Sequence, residues 1–374
     1  MAIPRRHRFH HAYKERHMNK PRANEIDLLR FLAALAVVLF HFAFRGYAAH
    51  SSSLPYPLLA PVAKYGRYGV DLFFLISGFV ILMTASGGSL KHFVVSRIVR
   101  LYPAYWICCT LTFLVLVLFG SGKPTVVQYL LNMTMLSGFD IVQKIAPVSL
   151  MDGSYWSLVV EMRFYAFVAV VLLLRQMHRA ELWLTGWLVT LILYELARID
   201  HLREMLIVDY AAYFIGGAMM YQIWSRGWSV LRLGVILGSW GLSLYEACIA
   251  LPKFEAATHT VMDRGIVIAL ITACFIMMCL VATKKTFWVG RRNWMLLGAL
   301  TYPLYLVHQA IGYVIFNHLY PGSNPHLLLW GTVALMMAIA YLVNVHVEQR
   351  YAGAFKRHLN DGWASLRTFI VPAR

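Results

Sequence analysis

The chain has 374 residues, of which 60% are hydrophobic and only 14% charged, and its Lys and Arg outnumber its Asp and Glu by 17. Ordinary globular domains carry roughly 45–50% apolar and 25% charged residues, so this composition leaves too few charges to cover a soluble surface. The positive excess is scattered between apolar stretches and is not gathered on one face, which argues against a nucleic-acid partner and for topology signals in a lipid bilayer.

In chain order, residues 1–23 form a basic tail that includes Arg5, Arg6, Arg8, Lys14, Arg16, Lys20 and Arg22, suited to contact anionic lipid. An apolar stretch near 28–47 follows and is long enough to span, so the start reads as a retained anchor and not a cleaved signal. Further apolar windows fall near 68–85, 101–120, 156–174, 182–197, 208–224, 233–251, 265–282, 295–318 and 327–347. They predict an all-α transmembrane bundle of about ten spans. A cytoplasmic N-terminus puts both termini on that side, with 23 Lys and Arg there against nine on the other. The expected division is 1–23 as a cytoplasmic N-terminal tail, 24–348 as the transmembrane domain and 349–374 as a cytoplasmic C-terminal tail. The segment 121–155 mixes polar residues with Tyr129, Leu130, Leu131 and Phe139, and is expected to fold back as a lid. The five cysteines lie in apolar stretches without metal or redox spacing, so they read as small core residues and no metal is expected.

Ionisable groups at membrane depth cost several kcal/mol unless paired or wetted, so each is a functional candidate. Arg30 and His41 are eleven residues apart, about 3.06 turns, and so share one face of the first span roughly 16.5 Å apart along its axis. A snorkelling arginine and an unrelated core histidine would give the same pattern. Asp71, Glu161 and His308 come from three other spans and are expected in the same half of the membrane as His41. Arg97 and Arg100, with Lys91, Tyr102, Tyr105 and Trp106 nearby, fall at the opposite level. Guanidinium pairs suit phosphate because their donors are planar and bidentate, although Lys91 reads better as a positive-inside anchor.

These segments resemble the signature of acyltransferase family 3, integral membrane O-acyltransferases. The first match is Asp27-Leu28-Leu29-Arg30-Phe31-Leu32-Ala33 with His41-Phe42. In order follow Gly69-Val70-Asp71-Leu72-Phe73-Phe74-Leu75-Ile76-Ser77-Gly78-Phe79 and Arg97-Ile98-Val99-Arg100-Leu101-Tyr102-Pro103-Ala104-Tyr105-Trp106. The last two are Trp156-Ser157-Leu158-Val159-Val160-Glu161-Met162-Arg163-Phe164-Tyr165, and Leu297-Gly298 with Thr301-Tyr302-Pro303-Leu304-Tyr305-Leu306-Val307-His308. Thr301-Tyr302 departs from the commoner Ser-Tyr. The resemblance implies about ten spans in a membrane, expected to be the bacterial cytoplasmic (inner) membrane. It also implies an acyl-CoA donor, with acetyl-CoA expected, and a carbohydrate or similar hydroxylated acceptor of the envelope.

By matching position, Arg30 and His41 would be the essential pair, Arg97 and Arg100 the donor-binding arginines and Glu161 the conserved acid. The expected chemistry makes His41 the general base and lets Glu161 or Asp71 orient its ring. Arg30 or Ser157 would stabilise the oxyanion. Tyr105 is grouped with the donor; Asp71, Trp156, Ser157 and His308 are grouped with the acceptor, His308 being equally readable as a hydrogen-bonded core residue. Direct transfer and relay through a second protein are both open, as is self-association. The rival class is a multi-pass transporter or flippase for a hydroxylated or lipid-linked substrate, whose pathway would use the same intramembrane groups.

Overall fold

Inside a bilayer an apolar run has no water to satisfy its backbone, so it must close its hydrogen bonds within itself. The computed structural model describes residues 23–197, 203 and 205–370, with side chains to residue 363. The expected basic tail before Ala23, and Arg198 of the charge tally, lie outside these residues. Eleven long helices form: α1 (Glu25–Phe40), α2 (Gly69–Ala85), α3 (Leu90–Phe119), α4 (Trp156–Leu173), α5 (Ala180–Ala197), α6 (Val208–Arg226), α7 (Val230–Thr258), α8 (Arg264–Ala282), α9 (Met295–Leu319), α10 (Pro325–Val343) and α11 (Gln349–Ile370). No strand occurs among the described residues.

Nine helical segments among the described residues are long and apolar enough to cross a membrane. The exception among the ten expected spans is the sixth, near 208–224. It is α6, which has 19 residues but sits in the middle of the bundle with Ala211 to Met220 all buried. Tyr213 and Gln222 are buried against its neighbours, so it does not need an apolar surface. Its crossing with α2 explains two glycines: a Cβ on Gly217 would lie 1.9 Å from the Leu75 carbonyl oxygen, and one on Gly78 would lie 2.1 Å from that of Phe214. Small residues at such crossings let backbones approach where lipid supplies no hydrophobic drive.

The third span begins earlier than the apolar window suggests. Ser89 accepts from the His92 amide and caps a helix that starts at Leu90, so Arg97 and Arg100 stand on α3 itself. The segment 121–155 does not lie flat as a lid. It forms two short helices, Val126–Met133 and Asp140–Ile145. Tyr102, Tyr105 and Trp106 of α3 donate to the carbonyls of Thr134, Asn132 and Met133 at 2.9, 2.9 and 3.0 Å. Tyr102 lies roughly 25 Å from the end of α3 at 1.5 Å per residue, so the segment plunges along that helix. The C-terminal helix α11 runs along α3 from Trp106, whose ring meets Phe355, to Lys91, whose Nζ donates to the Asn360 carbonyl.

Candidate active site

α1 is regular to Phe40 and then widens into a π turn over His41–Arg45. Such turns are rare and recur at functional sites because they redirect side chains. Helix α9 packs on this turn at glycine distance: a Cβ on Gly312 would lie 2.3 Å from the Phe42 ring, and one on Gly46 would lie 2.6 Å from Tyr313.

Five helices share one cavity of about 80 Å³. Arg30 enters from α1, Ser77 from α2, Arg97 and Arg100 from α3, Ser157 and Glu161 from α4, and Thr301 and Tyr305 from α9. Three guanidinium groups thus face one carboxylate. Glu161 Oε1 accepts from Ser77 Oγ at 2.5 Å, which holds it against α2. Arg97 lies 5.9 Å from the Phe93 ring and 5.8 Å from the Tyr165 ring, while Arg100 is exposed and stands where solvent reaches the cavity. At the far end Tyr305 OH meets Ser157 Oγ at 2.6 Å and donates to the Ser154 carbonyl at 3.1 Å.

His41 does not line this cavity. Ala34 and Val37, on the stripe between it and Arg30, are 0% and 1% exposed, so the shared face is sealed between the two residues. The imidazole lies behind Tyr305 in a second cluster. His308 packs against Tyr305 at 5.6 Å between ring centres and against His41 at 5.1 Å. His41 Nδ1 meets Tyr313 OH at 3.1 Å. His308 Nδ1 faces the Tyr305 carbonyl at 2.8 Å. A carbonyl only accepts, so that nitrogen carries the proton and Nε2 keeps a lone pair. This Nε2 is fully buried and has no protein partner.

The loop before α4 holds this part of α9. Asp152 Oδ2 accepts from the Ala310 amide at 2.8 Å, Tyr155 OH donates to the Leu306 carbonyl at 3.1 Å, and Ser154 Oγ donates to the Tyr305 carbonyl at 3.2 Å. Two turns of helix around His308 are therefore fixed by a neighbouring loop as well as by their own ladder.

The expected site residues divide accordingly. Arg30, Arg97, Arg100, Ser157 and Glu161 come together in the cavity; His41 and His308 pair behind it. Neither Glu161 nor Asp71 touches His41, because Ser77 holds the first on α2 and the second lines a different cleft. Tyr313 occupies the position at the ring nitrogen. Tyr105 is 2% exposed and its hydroxyl is committed to Asn132, so it turns away from the cavity. Trp156 is 36% exposed and stacks on Tyr210 at 5.2 Å, outside the cavity wall. Sequence reasoning missed Tyr313, Ser77, Asp152 and Arg45. Arg45 ends the π turn one turn beyond His41, with Nη1 buried and without a protein partner. The signals available were Asp152-Gly153-Ser154, a turn pattern before a span, and Tyr313 five residues past His308. Among the described residues, no group of three or more His, Cys, Asp or Glu could hold a metal ion.

Comparison with known proteins adds three findings. Residues 23–345 match the family model described as "Acyltransferase domain". A protein of Acidianus two-tailed virus named "Putative acetyltransferase ORF330" is 28% identical over 163 residues, 43% of this chain and 44% of that protein, so the chain spans under half the length of this relative. No solved structure matches the chain.

Proposed function

The chain belongs to acyltransferase family 3, and from that membership we propose that it moves an acyl group, acetyl in the simplest case, from cytoplasmic acyl-CoA to a hydroxyl of a carbohydrate or similar acceptor beyond the membrane. The observation that carries this reading is the cavity in which Arg30, Arg97 and Arg100 face a single carboxylate. Three guanidinium groups with one acid between them are an anion site, and their planar donors match the phosphates of a CoA thioester. The exposed Arg100 marks the end at which the donor enters, and the charge bias of the loops puts that end in the cytoplasm.

The thioester would lie toward Tyr305, with Arg30 deepest among the three arginines. Reaching His41 requires the Tyr305 ring to leave Ser157 and the Ser154 carbonyl, two bonds between neutral groups worth about 1 kcal/mol each. His41 then takes the proton of the acceptor hydroxyl as its oxygen attacks the thioester carbonyl. The C–O bond forms, the C–S bond breaks, and the imidazolium returns the proton to the departing thiolate. In the tautomer in which Nδ1 donates to Tyr313 OH, the lone pair of His41 sits on Nε2, and the unprotonated Nε2 of His308 gives the proton a second resting place nearby. The electrostatic role expected of Glu161 is exerted on Arg30 and the donor, not on the imidazole.

The test is incubation of membranes with labelled acetyl-CoA, followed by isolation of base-labile label from envelope glycans. Wild-type membranes should form an ester and His41→Ala membranes should not. Label that crosses or leaves the membrane without forming any ester would replace this reading with transport.

A further inference from the structure

A second polar cleft of about 600 Å³ lies between the segment leading into α2, the start of α6 and the end of α7. Six charged side chains line it: Arg67, Arg203 and Lys253 against Asp71, Asp209 and Glu246. We propose that this cleft binds a neutral polyhydroxylated ligand, a sugar ring, through the Arg67 guanidinium and the Asp71 and Glu246 carboxylates. That the sugar is the acyl acceptor rests on the transfer reading above; that the cleft binds a sugar does not.

The argument starts from charge. Arg203 bonds Asp209 at 2.7 Å, Glu246 Oε2 at 2.9 Å and, behind it, Glu195 at 2.9 Å. Partial burial works against the Arg203 charge, yet the three acids hold the guanidinium ionised above the ordinary arginine range. With three basic and three acidic side chains on its wall, the cleft has no formal excess of either charge. It does offer unused hydrogen-bonding groups of both kinds. Glu246 is 4% exposed and its Oε1 has no protein donor; Arg67 Nη1 is buried and has no protein acceptor. Asp71 is 8% exposed and lines the same wall.

Buried groups of this kind are costly without partners. A ligand that satisfies carboxylates must donate, and one that satisfies a guanidinium must accept. A hydroxyl does both without adding charge, and neighbouring hydroxyls on a ring repeat the pattern at fixed spacing. The guanidinium is also held flat: Arg67 lies 4.1 Å over the Phe254 ring, which fixes the plane in which its donors point. Phe254 in turn packs on Phe40 at 6.3 Å, and Phe40 on His41 at 4.9 Å. The cleft is therefore two aromatic rings from the imidazole, on the side away from the arginine cavity.

The experiment uses the full-length protein in lipid nanodiscs and saturation-transfer NMR with methyl glucoside and methyl galactoside, with glucuronate and glucosamine as charged comparisons. Wild-type protein should transfer saturation to the neutral glycosides, and Asp71→Asn and Arg67→Gln should each weaken binding by about tenfold or more, the scale of a lost charge-assisted hydrogen bond. His41→Ala should keep the full signal. Melting curves of each variant separate lost binding from lost fold, and Phe254→Leu, which frees the guanidinium without removing it, should give an intermediate loss. Equal signals in wild type, Asp71→Asn and Arg67→Gln would overturn the proposal, as would transfer to glucuronate alone. Failure of the transfer reading looks different: the glycoside binds, and no ester forms from acetyl-CoA.

Discussion

The arginine cavity and the second cleft are each lined by three cationic side chains, yet they are opposite in character. In the cavity, Arg30, Arg97 and Arg100 meet one carboxylate, and Ser77 already holds it. In the cleft, Arg67, Arg203 and Lys253 meet three carboxylates. Counting arginines would have made both of them anion sites. What separates them is the number of acids: the cleft matches each basic side chain with an acidic one, and Arg203 is bound directly to two of them.

The largest effect that could break this comparison belongs to the group that serves both sides. His41→Ala should lower acyl transfer by about 10²–10⁴, the usual contribution of a positioned base, measured as labelled ester per unit of membrane protein. Near-full activity in that variant would remove the imidazole from the chemistry and leave the cavity and cleft unconnected.

Next, Arg97→Ala and Arg100→Ala should each raise the KM for acetyl-CoA about tenfold or more while changing kcat less, since each removes a charge-assisted contact made before and during transfer. The same substitutions should leave glycoside binding in the cleft untouched. A fall in both would mean that the two regions are one site.

Tyr313→Phe should lower kcat by about tenfold or less and alter its pH profile, because the hydroxyl at His41 Nδ1 holds the ring's orientation. A change in KM alone would make Tyr313 a wall residue of the neighbouring space and not a partner of the imidazole.

The smallest effect is also the most direct contrast. Raising salt from low to physiological strength should weaken acetyl-CoA binding a few-fold, because Arg100 is exposed and the cavity carries net positive charge. Neutral glycoside binding should hardly move. Equal salt dependence in the two would contradict the charge count on which their difference rests.

Much of the bundle was legible in the sequence. Apolar length and the lack of charge are one-dimensional properties, and lipid imposes helices on any run that satisfies them. Nine of the ten windows met the same conditions as helices. The sixth also forms a helix where its window lies, but a less apolar one, since a helix surrounded by protein is free to carry Gly216, Gly217 and Gln222. The start of α3 was missed by about eleven residues because Arg97 and Arg100 depress the apolar signal without interrupting the helix.

The candidate site was legible in part. Helical phase put Arg30 and His41 on one stripe of α1, and it holds until the π turn begins at His41. Phase says nothing of what covers that stripe. Ala34 and Val37 are sealed by neighbouring helices, so the cavity ends at Tyr305. Likewise, depth along separate helices was expected to group Asp71, Glu161, His41 and His308, but the structure puts Glu161 with Arg30, Arg97 and Arg100 and apart from His41, because depth cannot say which side chains touch.

By itself, then, the sequence determined the class of solvent around this chain, the helices that solvent demands, and the residues too costly to bury without a purpose. The tertiary structure alone decided which of those residues share a space: His308 with His41, Glu161 with Ser77, Asp71 with Arg67 across the second cleft. The physical reason is that burial in lipid acts on each segment separately and can be summed along the chain. Pairing depends on how helices rotate and cross, and here glycines at 217, 312 and 78 set crossings close enough to fix each neighbour.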